Sequence, residues 1–356
     1  MTPRRAFRSQ AAACARLGSP FMARLLGLLC EMLDRDTALG ARILDWPGDT
    51  GPHGDSVPLR LAGALHALVL DGTAPDLAAA YPPRDRKVDD ASLRAVLADS
   101  MARHASRLLA WLDQPPQTNE VRRSAALIPA FHLLAGQYKT PLVLSELGAS
   151  AGLNLFWDRY RLDLGTAAYG PADSPVILAP RWTGTPPAPA RIEVAERAGA
   201  DLRPLDGTKP EDRLRALAYL WPDQPGRIAR TRRALDLQGL SGAPVTRADA
   251  IDWLRGRLAA RWPGHLHVVY HSIAWQYFPP AARAAGRALL AEAGAEASAD
   301  APLAHLELES DGRAEGAALH LTCWPGGRRR RLGRVDFHGR WVRWSGVGSG
   351  PGARRP

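Results

Sequence analysis

The residues best suited to chemistry fall in the stretch PLVLSELGASAGLNLFW, positions 141–157. An apolar run ends on an acid, Glu146, and small residues then fill Gly148 to Gly152 before apolar periodicity resumes. Strand, small-residue turn and helix start, in that order, let the backbone approach a ligand closely. A carboxylate at that point repels phosphate and suits a ligand that offers hydroxyl or ammonium donors. The same letters also fit a tight strand–helix junction with no ligand.

Three further groups could share the chemistry. Gly148-Ala-Ser150-Ala-Gly152 spells Gly-x-Ser-x-Gly, the nucleophile elbow of α/β-hydrolases. On that reading Ser150 is the nucleophile, Asp249 the orienting acid and His271 or His305 the base. Against it, no HGG-type oxyanion motif precedes the turn, and Glu146 would repel a developing oxyanion. Two more acids close short motifs, Asp201 in RAGADLRP (with Glu196 in reserve) and Asp249 in TRADA. Each could bind a ligand hydroxyl or amine, and each could equally be a helix N-cap. Finally, VVYHSIAWQYF at 268–278 reads as a buried strand opening into a polar, aromatic mouth that carries Tyr270, His271, Ser272 and Trp275. His271 is the group there that titrates near neutrality unaided; a hydrogen-bonded structural histidine is the alternative.

The elements that must position these residues follow from periodicity. Residues 1–138 read mainly as helix, with apolar residues at three- and four-residue spacing over 20–34, 58–70, 90–112 and 118–135. Pro/Gly-rich breaks separate them, Pro129 falls inside the last, and Gly136 is its expected stop. From Pro141 strands alternate with helices. Strands are expected at 142–147, within 191–205 ending near 199–201, near 245, at 265–272 and at 303–309; helices are expected at 153–162, 211–220, 227–237, 248–260 and 281–293. That alternation predicts a parallel sheet covered on both faces. The end of the chain, ALHLTCW, RRRRLGRVDF and RWVRW separated by tight turns, predicts antiparallel strands, and residues 347–356 read as a disordered tail.

Composition limits the partners. With 46% hydrophobic residues the chain can bury a core, and no apolar run reaches the length of roughly 20 residues that crosses a bilayer. Arg24 interrupts the one apolar N-terminal stretch, so no secretory signal is read. Cys14, Cys30 and Cys323 are scattered without a CxxC pair, which supports neither a disulfide framework nor a zinc site; the expected compartment is the reducing cytoplasm, and no metal site is read. The formal charge of +10 invites a nucleic-acid reading. Lysine occurs only at Lys87, Lys139 and Lys209, however, and arginine beside abundant Ala, Gly and Pro points to GC-rich codon usage. The one dense cluster, Arg328–Arg331 with Arg334, reads as a solvated strand, so nucleic acid is not the expected partner. Nothing in the sequence fixes an oligomeric state.

Glu146-Leu-Gly148-Ala-Ser150-Ala-Gly152 resembles the first motif of S-adenosylmethionine-dependent methyltransferases, with Ser150 where that family has its middle glycine. The resemblance implies an α/β fold: a Rossmann-like class I methyltransferase sheet at 139–346 behind an N-terminal all-α domain at 1–138 serving as lid or acceptor side. It also implies a cofactor floor at Gly148, Ser150 and Gly152. Glu146 would meet the methionyl ammonium or position water, Asp201 would take the ribose and Asp249 the adenine. His271 with Tyr270 would serve the reaction. Asp-Pro-Pro-Tyr, the signature of many amino-group methylases, is absent, which argues against amino groups on DNA bases as the acceptor; the expected acceptor is a small molecule or a protein. A narrower likeness comes from Gln117-Thr-Asn119-Glu120-Val-Arg-Arg123, ELGASAGLNLFWDRY, RAGADLRPLD, TRADA and VVYHSIAWQY in that order. This set is similar to a bacterial family known as a domain of unknown function, over residues 10–345. Asn119, Glu120 and Arg123, just before the first strand, are expected either to close over the cofactor or acceptor from the helical domain or to form a capped, salt-bridged helix start. Ser272 and Trp275, beyond the carboxyl end of their strand, are expected to face the acceptor. A nucleoside-binding regulatory module without turnover is the other function the fold allows.

Overall fold

The computed structural model describes residues 1–84, 88–117, 119–242, 245–313 and 315–345. Thr118 of the Gln-Thr-Asn-Glu motif and the expected tail lie outside the described residues. The chain divides into two compact units, residues 1–118 with 209–232 and residues 119–208 with 233–356.

The first unit is helical. It contains α1 (Pro3–Arg16), α2 (Pro20–Met32), α3 (Ala38–Leu44), α4 (Val57–Leu70), α5 (Pro75–Ala79), α6 (Asp90–Arg103) and α7 (Ala105–Leu112). Short polar side chains start several of them. Ser19 accepts from the Met22 N–H, Thr37 from Gly40 and Asp89 from Ser92, each satisfying a first-turn donor that has no partner within its helix. Leu25, Leu29, Leu61, Leu65 and Leu97 build the core. The helix expected over 90–112 breaks at His104, whose ψ of 21° leaves the helical region.

The second unit opens with α8 (Ser124–Tyr138), which continues past Gly136 and ends with Lys139 in the left-handed conformation. Phe131 of α8 stacks on Trp157 at 4.1 Å and meets Tyr270 edge-on at 5.3 Å. That packing places α8 with the sheet, so the division falls after 118 and not after 138. Two later helices, α9 (Pro210–Ala218) and the first half of α10 (Pro225–Gly239), belong to the helical unit. The Tyr219 ring closes on Gly63, where a Cβ would come within 2.6 Å of it, and His66 Nδ1 lies 3.1 Å from the Ala218 carbonyl.

The strands of the second unit are β1 (Leu142–Leu147), β2 (Arg161–Asp163), β3 (Ala168–Tyr169), β4 (Ile177–Leu178), β5 (Arg181–Thr183), β6 (Val194–Asp201), β7 (Val245–Arg247), β8 (Leu266–Ser272), β9 (Leu303–Glu309), β10 (Ala317–Trp324), β11 (Arg328–Val335) and β12 (Trp341–Trp344). Nine form one mixed sheet in the order β5-β12-β11-β10-β9-β8-β1-β6-β7; β3-β2-β4 form a small separate sheet. Strands β7, β6, β1, β8 and β9 are parallel, and β9 through β12 form an antiparallel meander. All six residues of β1 and all seven of β8 are buried, as central parallel strands require. Helices α11 (Ala250–Ala259) and α12 (Pro280–Ala295) cover one face through Ile251, Leu254 and Leu290. The helix expected at 153–162 is a 3₁₀ segment, Leu153–Arg159, broken at Phe156.

The order β6-β1-β8 has a positional consequence. From β1 the chain steps outward to β6 and β7, then returns to β8 on the other side of β1. Open α/β sheets bind ligands outside the carboxyl ends of their strands at such a reversal. Those ends carry Glu146 and Gly148 after β1, Asp201 after β6, Asp249 after β7 and the 272–278 segment after β8. The arginine cluster lies on β11, largely exposed, except that Arg334 is buried and bonds both oxygens of Asp311 at 2.7 and 3.1 Å. Among the described residues no helix is long and apolar enough to cross a membrane.

Candidate functional site

The turn after β1 is tied to β6. Gly148 and Ala149 both donate N–H to the Ala200 carbonyl, at 2.9 and 3.0 Å. The Ser150 N–H donates to Asp201 Oδ2 at 2.9 Å, Gly152 to the Ala149 carbonyl at 2.7 Å and Leu153 to Asn119 Oδ1 at 3.0 Å. These donors are spent inside the protein, so the turn is not built to cradle an anion. Gly148, Ser150 and Gly152 have φ of 67°, 54° and 70°. Glycine suits the first and last; Ser150 holds a left-handed conformation that side chains disfavour.

A pocket of about 150 Å³ lies at this carboxyl edge, lined by Gly148, Asp201, Asp249, Ile251, Tyr277 and Phe278 among others. Three of the six residues expected at the cofactor therefore meet in one cavity. Asp201 also accepts from the Arg203 N–H at 2.8 Å. Asp249 caps α11, accepting from Ile251 and Asp252 at 2.8 and 3.2 Å, so its capping and pocket-lining roles coexist. Tyr277 is 64% exposed and stands at the mouth as a free aromatic face. A larger cavity, about 320 Å³, lies in the helical unit, but among the described residues Thr37 is the only polar side chain on its wall.

The other expected floor residues lie elsewhere. A Cβ on Gly152 would come within 2.7 Å of Val245, and Ser150 is 6% exposed; neither lines the pocket. Glu146 lies beneath the turn, 2% exposed, and burial pushes its carboxyl well above the usual carboxylate range, opposed by the positive charge of Arg123. Its Oε2 has no hydrogen-bond partner among the described residues.

Strand alternation separates the two expected catalytic residues. Glu146 pairs in register with Tyr270, and their side chains share the face under α8 and the 3₁₀ segment. There the Tyr270 hydroxyl donates to the Asn154 carbonyl at 3.2 Å, and burial holds it well above a phenol's ordinary range. His271 points to the opposite face because successive strand residues alternate. It is fully buried, with Nδ1 2.7 Å from Glu309 Oε1 and Nε2 3.0 Å from His305 Nε2, and it stacks on Trp275 at 4.8 Å. Tyr270 and His271 therefore cannot serve one acceptor together, and neither lines the pocket.

Asn119, Glu120 and Arg123 belong to the sheet unit, not to the helical unit, and Asn119 and Arg123 tie segments of the sheet unit together. Asn119 Nδ2 donates to the Ala149 carbonyl at 2.7 Å while its Oδ1 accepts from Leu153, which braces both ends of the glycine turn. Glu120 accepts from the Arg122 N–H at 3.1 Å. Arg123 donates to the Ser272 carbonyl at 3.0 Å and the Phe337 carbonyl at 3.1 Å, fixing the end of β8. Next to that bond Ile273, a β-branched residue, has φ of 51°, a strained conformation kept by its surroundings. Glu309 Oε1 accepts from the Ala274 and Trp275 N–H groups at 2.9 and 3.1 Å, and Ala274 is close enough that a Cβ on Gly148 would sit 2.6 Å from its own.

The hydrolase constellation is not assembled. Ser150 Oγ has no hydrogen-bond partner among the described residues, Asp249 caps α11, and both His271 nitrogens are engaged by Glu309 and His305. Tyr277 and Phe278 of the expected aromatic mouth do line the pocket; sequence reasoning missed Ile251 and Ala282 as pocket walls, and Glu307 and Glu309 beside His271. The alternation in LAHLELE, set in register against HLHVVYHS, is the signal that would have found the acids.

Residues 4–344 match the family described as an uncharacterized protein conserved in bacteria (DUF2332), and the chain belongs to that family. No curated protein and no solved structure matches it.

Proposed function

We propose that this protein binds S-adenosylmethionine in the pocket at Gly148, Asp201 and Asp249 and transfers its methyl group to a small-molecule or protein acceptor. The observation that carries the reading is the convergence of those three residues, from the ends of β1, β6 and β7, on one cavity beside the chain reversal. Numbered in chain order, the parallel strands β7-β6-β1-β8-β9 run 3-2-1-4-5, the order of the first five strands of a doubly wound nucleotide-binding sheet, and β10 and β11 continue the edge by antiparallel hairpins.

On this reading Asp201 accepts from the ribose hydroxyls, Asp249 from the adenine amine, and the purine stacks on Tyr277. Glu146 lies buried beneath the turn, on the face of Tyr270 and α8, and does not line this pocket, so no ligand contact is assigned to it. In-line methyl transfer rests on alignment and exclusion of water, which a strained, braced 272–278 segment over Gly148 can supply without a general base. His271 is not assigned a proton-transfer role.

A second reading is a nucleoside-binding module without turnover. One observation favours it: among the described pocket walls there are two carboxyls and a phenol, Asp201, Asp249 and Tyr277, but no histidine, cysteine or lysine. Mass spectrometry of the small molecules released on denaturing purified protein tests the pocket, and an acceptor panel with labelled S-adenosylmethionine tests turnover. Co-purified S-adenosylhomocysteine with label transfer supports the enzyme. Binding with no transfer leaves the module, and neither ends both.

A further inference from the structure

We propose that His271, His305 and Glu307 form a binding site for a divalent transition-metal ion of the zinc class, distinct from the nucleoside pocket. Parallel pairing of β8 and β9 sets His271 opposite Glu307 and Val269 opposite His305. Alternation then puts the three polar side chains on one sheet face, and one ligand atom from each lies within 4.8 Å of the others. Sequence spacing could not show this, because the histidines are 34 residues apart on different strands.

The tautomers support convergence on a cation. Glu309 Oε1 already accepts two backbone N–H groups and lies 2.7 Å from His271 Nδ1. An acceptor there requires the proton on Nδ1, which turns the lone pair of Nε2 toward His305 Nε2, 3.0 Å away. Without an ion, one imidazole must donate to the other, and the remaining His305 nitrogen then turns its lone pair toward the Glu307 carboxylate, 4.0 Å off. With an ion, the proton of His305 would sit on Nδ1, facing Glu307, and both Nε2 lone pairs and a Glu307 oxygen would be available to the cation. An imidazole whose far nitrogen is held by a carboxylate is the usual outer support of a metal-bound histidine. Two imidazoles and one carboxylate, with positions left over, suit zinc or a neighbouring first-row ion and not magnesium or calcium. Arg329 bonds Glu307 Oε2 at 3.0 Å, but it is 53% exposed and can swing into solvent. None of the three ligands lines the Gly148 pocket.

The test uses the full chain, stripped with a chelator and titrated with cobalt(II), then with zinc(II). The expected result is a one-equivalent visible d–d absorption that zinc abolishes, with a zinc-dependent rise in melting temperature. His305→Ala should lose both signals. Glu309→Gln should weaken binding roughly 10–100-fold. Retained binding in His305→Ala would overturn the proposal. So would the absence of both the cobalt spectrum and the zinc shift in the unmodified protein, a result that needs no variant to fold. Chelation is expected to leave S-adenosylhomocysteine binding unchanged, because none of the three ligands lines that pocket, so failure of one site is distinguishable from failure of the other.

Discussion

Asp201 Oδ2 accepts the Ser150 N–H at 2.9 Å, so the acid that ends β6 and the turn that leaves β1 form one hydrogen-bonded unit. Asp201→Ala removes this bond and the one from Arg203. Hydrogen bonds to charged groups contribute about 1.5–3 kcal/mol, and a loss of that size is expected in urea unfolding. Asp201→Asn, which keeps an acceptor, should recover part of it. A loss under about 0.5 kcal/mol in the alanine variant would mean that the turn stands without its brace.

Ser150 occupies a left-handed conformation with a buried hydroxyl that has no partner among the described residues. Ser150→Gly relieves both, and a gain of about 1 kcal/mol is expected, with ligand binding retained. A hydrolase that used Ser150 would lose its activity in the same variant. Measuring stability and esterase turnover together distinguishes the two.

Much of the architecture was legible, and the reason is local. The strands at 142–147 and 303–309 and the helix near 281–293 announce themselves by apolar runs, alternation and flanking Pro or Gly, which need no knowledge of partners. The glycine turn and the acids at 201 and 249 were readable for the same reason. Roles that depend on pairing were not. The opposed faces of Tyr270 and His271 follow from alternation, but which face meets Glu309 or α8 follows from register. Asn119 as a brace depends on a contact 30 residues away. The short strand β5 joins the sheet beside β12, about 160 residues later, and carries no periodicity of its own.

Glu146 gives a pH signature. Its folded carboxyl is held well above its ordinary value of 4.5, so the native state keeps a proton that the unfolded chain releases. Stability from this group is present below pH 4.5 and is lost as pH rises toward the folded value. Glu146→Gln, neutral throughout, should gain on the unmodified protein between pH 5 and pH 8 in urea midpoint comparisons. Parallel curves for the two proteins would show an ionised Glu146.

His267 works in the opposite sense. Burial, with Arg257 nearby, pushes its folded value from 6.5 down to about 3, and Nε2 lies 2.9 Å from Ser145 Oγ. The unfolded chain takes up a proton that the native state refuses, so this stability is complete above pH 6.5 and is lost as pH falls toward 3. His267→Asn should flatten the acid limb by about 1.4 kcal/mol per pH unit. An unchanged slope between pH 6 and pH 4 would contradict a neutral buried His267.

The most direct measurement of the central claim is calorimetric titration of the purified protein with S-adenosylhomocysteine, beside Ala282→Trp, which fills the pocket, and Tyr277→Ala, which removes the exposed ring at its mouth. Saturable binding to the unmodified protein, abolished by the first substitution and weakened by the second, is the predicted result. No heat of binding, or binding indifferent to Ala282→Trp, would contradict the assignment of this pocket to an adenosyl ligand.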